Sequence, residues 1–161
     1  MEYHIREIEE RDNKKIEHVI RTCLIEYGGD HEGTAWADPK LGEFSTIYNN
    51  IEGRKYWVVE TTDGEIVGGA GIGEVEGSPG VCELQKMYCL QKARGTGAAR
   101  ELMEKALTYA KQFYNECYLE TLDNMIPAQK FYKKHGFERT DKRLGNTGHF
   151  DCEVLFLKDL K

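Results

Sequence analysis

Residues 81–110 constrain this chain more than any other stretch. Val81 to Leu90 reads as a strand. A turn of small residues follows, Arg94-Gly95-Thr96-Gly97-Ala98-Ala99, and then a helix whose inner side carries Leu102, Met103, Ala106, Leu107 and Ala110. A period of two gives way to a period of 3.6 across glycine, the mark of a strand feeding a helix. The chain is thereby committed to a layered arrangement of sheet and helices.

The remaining segments extend that pattern. Tyr3 to Glu7 reads as a first strand. Asp12 caps a helix with Ile16, Val19, Ile20, Cys23 and Leu24 on one face, ended by Gly28-Gly29. Residues 28–38 read as a loop, and Asp38-Pro39 as the cap and first turn of a second helix that buries Leu41, Phe44, Ile47, Tyr48 and Ile51. Tyr56 to Thr61 and Ile66 to Ile72 form a hairpin around Thr62-Asp63-Gly64-Glu65. Glycines 68, 69 and 71 weaken the return strand and permit close approach of something else. After the helix come a strand at Glu116 to Thr121, a helix near Pro127 ended by Gly136, and strands at Phe137 to Arg143 and Asp151 to Leu157. The order is strand, two helices, three strands, helix, strand, helix, two strands, in one domain spanning residues 1–161.

Composition narrows the function classes. The chain has 161 residues, 40% of them hydrophobic, enough for one sizeable core. A net charge of -6 argues against a nucleic-acid partner, which needs a concentrated basic patch. No apolar run approaches the roughly 20 residues of a membrane span. The N-terminus, MEYHIREIEE, lacks a signal peptide's apolar stretch. Five scattered cysteines (Cys23, Cys82, Cys89, Cys117, Cys152) fit neither a disulfide framework nor a structural zinc site, so no metal is expected. They read as reduced residues of a cytoplasmic protein.

The turn at 94–99 is built to receive an anion. A helix N-terminus offers unpaired N–H groups and positive potential, and small residues let a diphosphate approach them. The glycine pattern alone equally fits an ordinary strand-to-helix turn. A Walker loop requires Gly-Lys-Ser/Thr, which is absent. A dinucleotide fingerprint requires a third glycine where Arg100 stands, and the three preceding strands are wrong for a mononucleotide fold.

Two blocks together resolve the choice. Arg94, Gly95, Gly97 and Ala99, with Leu102-Met103 behind them, match the pattern Arg/Gln-x-x-Gly-x-Gly/Ala. Asn124, Ala128, Phe131, Tyr132, Gly136 and Phe137 match Asn-x-x-Ala-x-x-Phe/Leu-Tyr-x-x-x-Gly-Phe with one extra residue before Ala128. In both blocks the chain resembles the GCN5-related N-acetyltransferase (GNAT) superfamily. The likeness covers residues 3–158 in element order and about 55–137 in detail. It departs where Gln91 stands for a frequent proline and Ala98-Ala99 for Ile-Gly.

The resemblance implies a single-domain acyl-CoA N-acyltransferase fold, with a mixed sheet whose fourth and fifth strands splay apart around the pantetheine arm of acetyl-CoA. It implies that Met87, Tyr88 and Cys89 meet that arm, with Asn124 near it. The diphosphate would rest on N–H groups of Arg94, Gly95, Thr96, Gly97, Ala98, Ala99 and Arg100. Direct acetyl transfer requires a neutral amine and a proton for the departing sulfur. Tyr132 matches the family's acid, or else it packs beside Phe131. Glu83 matches a frequent base, or else it is an exposed strand acid. Strand alternation groups Glu83, Gln85 and Met87 on one face, Leu84 and Lys86 on the other. Glu32, Trp36 and Glu120 are expected at the acceptor. His31 and His149 fall in loops, where either could touch substrate although a surface histidine is the plainer reading, and Cys89 reads as packing rather than a nucleophile.

Three functions remain: an acetyltransferase acting on a small-molecule amine, the same enzyme acting on a peptide amine, and an acyl-CoA sensor without turnover. A closed pocket lined by residues 28–48 favours the first, an open groove the second. Homodimers are a habit of the family.

Overall fold

The computed structural model describes residues 1–161. Seven strands form one sheet in the order β1-β2-β3-β4-β5-β7-β6. They are β1 (Tyr3–Glu7), β2 (Lys55–Thr61), β3 (Ile66–Glu74), β4 (Val81–Cys89), β5 (Glu116–Thr121), β6 (Glu138–Thr140) and β7 (Val154–Asp159). Four helices interleave them: α1 (Asn13–Glu26), α2 (Phe44–Tyr48), α3 (Ala98–Ala110) and α4 (Ile126–Lys134). Element order and fold class are those expected from the sequence. No helix is long and apolar enough to cross a membrane.

Each face of the sheet carries a core. α3 lays Leu102, Met103, Ala106 and Ala110 against Val59, Val67, Ile72, Leu84 and Phe156. On the other face, α1 brings Ile16, Val19, Ile20, Cys23 and Leu24 to meet Phe44, Tyr48 and Tyr56. Every apolar position assigned to the inner face of α1 is buried.

Only the β4–β5 pair is parallel, and it is short. Residues 81–83 match 116–118, and there the pairing stops. Beyond Glu83 the two strands separate, so the edge of β4 facing β5 carries no strand partner.

The chain corrects several expected boundaries. The second helix begins at Phe44, not Pro39. Lys40 takes a positive φ of 65°, which breaks helical geometry, and Asp38 turns its carboxylate elsewhere. The last two strands cover residues 138–140 and 154–159, with a longer loop between them than expected. Asp12 precedes α1 as expected, but its side chain caps none of that helix. It accepts the Glu9 N–H at 2.9 Å and a bidentate pair from Arg6 at 2.7 and 2.9 Å.

Arg6 also bonds both oxygens of Glu60 at 3.1 Å. Burial pushes the Asp12 carboxyl up, but the Arg6 and Glu9 bonds outweigh it and hold it below its ordinary value. Arg6→Met strands a carboxylate that is 1% exposed, and is expected to cost about 3–5 kcal/mol at neutral pH. The folded state favours the ionised carboxyls, so their contribution is present above the unfolded values of about 4 and lost as pH falls through the lower folded ones. Urea unfolding of both proteins at pH 7 and pH 3.5 measures this, and the gap should narrow at the lower pH.

Candidate active site

The site grows out of a fault in β4. Between Gly69 and Gly71 of β3 the register skips one residue of β4, and Lys86 takes a φ of 50°. This is a β-bulge, with the extra residue on β4. The glycine-rich β3 makes it possible. A side chain on Gly69 or Gly71 would come within 2.6 Å of the Tyr56 ring, which lies across both positions. Tyr56 then donates its hydroxyl to the Lys86 carbonyl at 2.7 Å and fastens the bulge.

The bulge overturns the expected alternation along β4. Leu84 faces the α3 core, and past the bulge Met87 and Cys89 do so too, while Tyr88 faces the α1 core. Lys86 joins Glu83 and Gln85 rather than Leu84, and all three line one chamber.

Three connected spaces open along the splay. The first is a groove of about 250 Å³ between α1, β4 and α4, walled by Tyr27, Met87, Tyr88, Cys89, Phe131 and Tyr132 and reaching Gly95 and Ala99. The second is a narrow neck of about 40 Å³ that shares Met87, Tyr88, Met125 and Tyr132 with the groove and adds Glu83, Glu120 and His149. The third is a vestibule of about 280 Å³ that shares Glu83, Gln85, Lys86 and His149 with the neck. Pro39, Leu41, Phe44 and Ile47 are the apolar part of its lining, beside Asp38, Tyr48 and Thr147.

At the groove's outer end lies the 94–99 turn. Gly95 and Gly97 have φ of 77° and 93°, which explains glycine at both. The N–H groups of Gly95, Thr96, Gly97, Ala99 and Arg100 have no acceptor within the protein. Two expected donors are already engaged: Arg94 N–H bonds the Gln91 carbonyl at 3.1 Å, and Ala98 N–H bonds Thr96 Oγ1 at 3.3 Å. The Arg94 guanidinium also turns from the turn. It bonds Glu26 at 2.7 and 2.8 Å and the Cys89 carbonyl at 3.1 Å, pinning the turn to α1. Arg100 is exposed and forms no ion pair, so it is the side-chain cation left beside the turn.

Asn124 donates to the Tyr27 carbonyl at 2.7 Å and bridges α4's approach to the end of α1 rather than lining the groove. Tyr132 is 7% exposed, yet its hydroxyl has no protein partner, unlike those of Tyr48, Tyr56, Tyr109, Tyr114 and Tyr118. Burial pushes its pKa well above the ordinary phenol value, so it stays protonated. Glu83 is 9% exposed and receives Gln85 Nε2 at 3.0 Å, and Gln85 in turn accepts the Tyr48 hydroxyl at 2.6 Å. Burial raises the Glu83 carboxyl above the ordinary range, against the opposing pull of Lys86.

Glu120 reaches the neck, but it is crowded: Tyr118, Thr147 and Arg143 all bond its carboxylate, at 2.7, 2.7 and 3.0 Å. Glu32 and Trp36 do not line the chambers. Glu32 is exposed, and Trp36 stacks under the Arg21 guanidinium at 4.6 Å. From that loop the residues facing the site are Ala35 and Asp38.

Sequence reasoning missed Asp38, Lys86 and His149. His149 is no surface histidine: its ring is 11% exposed, with Nε2 at 2.7 and 2.8 Å from the two Asp38 oxygens. Asp38 also meets Lys86 Nζ at 2.6 Å. Together with an Asp151 N–H to Gly33 carbonyl bond of 2.9 Å, these contacts draw the β6–β7 loop across the vestibule as a strap.

Comparison with known proteins agrees with this architecture. The model of the acetyltransferase (GNAT) family matches residues 14–137. The uncharacterised N-acetyltransferase YjgM of Escherichia coli strain K12 is 43% identical over 159 residues, covering 97% of this chain and 94% of its own. A GNAT-family acetyltransferase from Staphylococcus aureus Mu50 superposes with a TM-score of 0.81 at 21% identity over 99% of both chains. The PaiA N-acetyltransferase of Thermoplasma acidophilum, solved with coenzyme A, gives 0.74 at 17% identity over 99% of each. The chain therefore belongs to the GNAT family of acetyltransferases.

Proposed function

We propose that this enzyme transfers the acetyl group of acetyl-CoA directly to the amine of a small-molecule acceptor, with Glu83 as base and Tyr132 as acid. One observation carries the reading. The neck joining groove to vestibule holds, on its walls, a buried carboxylate and a buried phenol whose hydroxyl has no protein partner.

The donor fits the residues present. Five free N–H groups at 95–97, 99 and 100 suit a diphosphate, and the unpaired edge of β4 suits an amide-bearing arm. Bound there, acetyl-CoA supplies an activated thioester. The rest of the chemistry belongs to the chain. An acceptor ammonium must lose a proton before its nitrogen can attack, and Glu83, made more basic by burial, is placed to take it. The N–C bond forms as the C–S bond breaks. The nitrogen gives up a second proton, the sulfur gains one from Tyr132, and the balance is one proton released per turnover.

The strap, held to Asp38 through His149, bounds the vestibule on the side of the β6–β7 loop, which supports a small acceptor over a peptide. Thiol release from acetyl-CoA across a panel of amines, amino acids and peptides tests this. Release matched by acetylated small amine is expected, and binding of acetyl-CoA with no turnover on any acceptor would favour a sensor.

Gly97→Ala probes the turn. The added carbon meets nothing closer than 3.5 Å, so its cost is the left-handed backbone, about 1–2 kcal/mol. A several-fold rise in the Kd for acetyl-CoA is expected by calorimetry, with the KM for acceptor little changed.

A further inference from the structure

Lys86 has no role in the chemistry above, and its placement is costly. Plain alternation would set it beside Leu84 against the α3 core. The bulge sets it in the vestibule instead, at a positive φ that non-glycine residues rarely adopt. No other lysine or arginine lines the neck or the vestibule. Its side chain is 16% exposed, and Asp38 is its one ion-pair partner. Asp38 is already held by His149 on both oxygens, so fastening that loop does not require Lys86. A lysine ammonium has three donors, and one contact leaves donors to spare.

Across the bulge stands Glu83, which touches no cation and is held through Gln85 alone. The vestibule therefore holds two carboxylates and one ammonium: Glu83 leads into the neck, and Lys86 stands one bulge away beside Asp38, which His149 also contacts. A second positive charge on the acceptor would meet Lys86. A negative one would find donors waiting.

Building on the acetyl-transfer reading, we infer that the acceptor is an amino carboxylate with an apolar side chain. Its amine lies toward Glu83, its carboxylate docks on Lys86 Nζ, and its side chain rests on Pro39, Leu41, Phe44 and Ile47. Lys86 is thus a specificity-determining residue.

The test compares leucine, leucinamide, 3-methylbutylamine and spermidine as acceptors of the wild-type enzyme. Leucine is expected to exceed leucinamide in kcat/KM by about 30-fold, the scale of a charge-assisted contact. This holds even though the leucinamide ammonium deprotonates more readily and would win if only the amine mattered. Lys86→Met is expected to close that gap by raising the KM for leucine, and Lys86→Arg to restore part of it. Equal values for leucine and leucinamide, a preference for spermidine, or a Lys86→Met loss shared alike by all acceptors would overturn the inference. Should 3-methylbutylamine or spermidine be acetylated and leucine not, the inference fails while acetyl transfer stands. Should none be acetylated, the inference fails, and the wider panel of amines, amino acids and peptides decides whether acetyl transfer stands. The wild-type panel decides even if the Lys86 variants do not fold.

Discussion

Tyr132→Phe is expected to lower kcat by about 10²-fold or more, the usual contribution of a positioned proton donor, while the Kd for acetyl-CoA stays within about twofold. The expectation rests on what phenylalanine keeps. The Tyr132 ring packs against Phe131, Phe137 and Phe156 at centroid distances of 5.9, 6.1 and 6.0 Å, and those contacts survive. Only the hydroxyl is lost, and no protein group bonds it, so thermal stability should not fall. Initial rates and calorimetry on one preparation separate the two effects. Tyr88 also borders both groove and neck, so wild-type turnover in Tyr132→Phe would move the acid role to that residue.

Glu83→Gln is expected to act in opposite directions on activity and stability. Activity should fall about 10²-fold in kcat/KM, because the proposed base is removed while the shape and the Gln85 contact remain. Stability should rise. The folded state raises this carboxyl above its unfolded value, so it favours the neutral form. Ionised Glu83 therefore costs stability once pH exceeds the folded value, and glutamine removes that cost. The same variant should flatten the acid limb of the wild-type kcat/KM profile, which lies above the ordinary carboxylate range. Rate–pH profiles and melting curves at pH 7.5 check the two signs together.

The features legible in the sequence are local ones. The turn from Arg94 to Ala99 and the block from Asn124 to Phe137 each lie within one strand-to-helix or helix-to-strand unit, so a short motif encodes their shape. That the turn's free donors begin at Gly95 was not legible, because it depends on where Arg94 finds its partners: Gln91 for its N–H and Glu26 for its guanidinium. The vestibule was hidden for a different reason. His149 and Asp38 stand 111 residues apart, and nothing near either one announces the other. Lys86 was misplaced by the alternation rule itself, since a one-residue bulge reverses every face after it. The cause of that bulge was partly visible: three glycines in one strand signal that something approaches closely, and the approaching group is Tyr56. Glu32 and Trp36 came from the family's habits in the correct loop. The loop does face the site, but through Ala35 and Asp38, because Arg21 draws the Trp36 ring away.

The neck between groove and vestibule is the proposed place where the acetyl group changes hands. Its most direct test is the Glu83→Gln/Tyr132→Phe double variant, assayed for thiol release from acetyl-CoA beside a calorimetric Kd for the same ligand. Acetyl transfer at the neck predicts an unchanged Kd with turnover reduced by about 10³-fold or more relative to wild type. Turnover within tenfold of wild type, with the Kd intact, would contradict it.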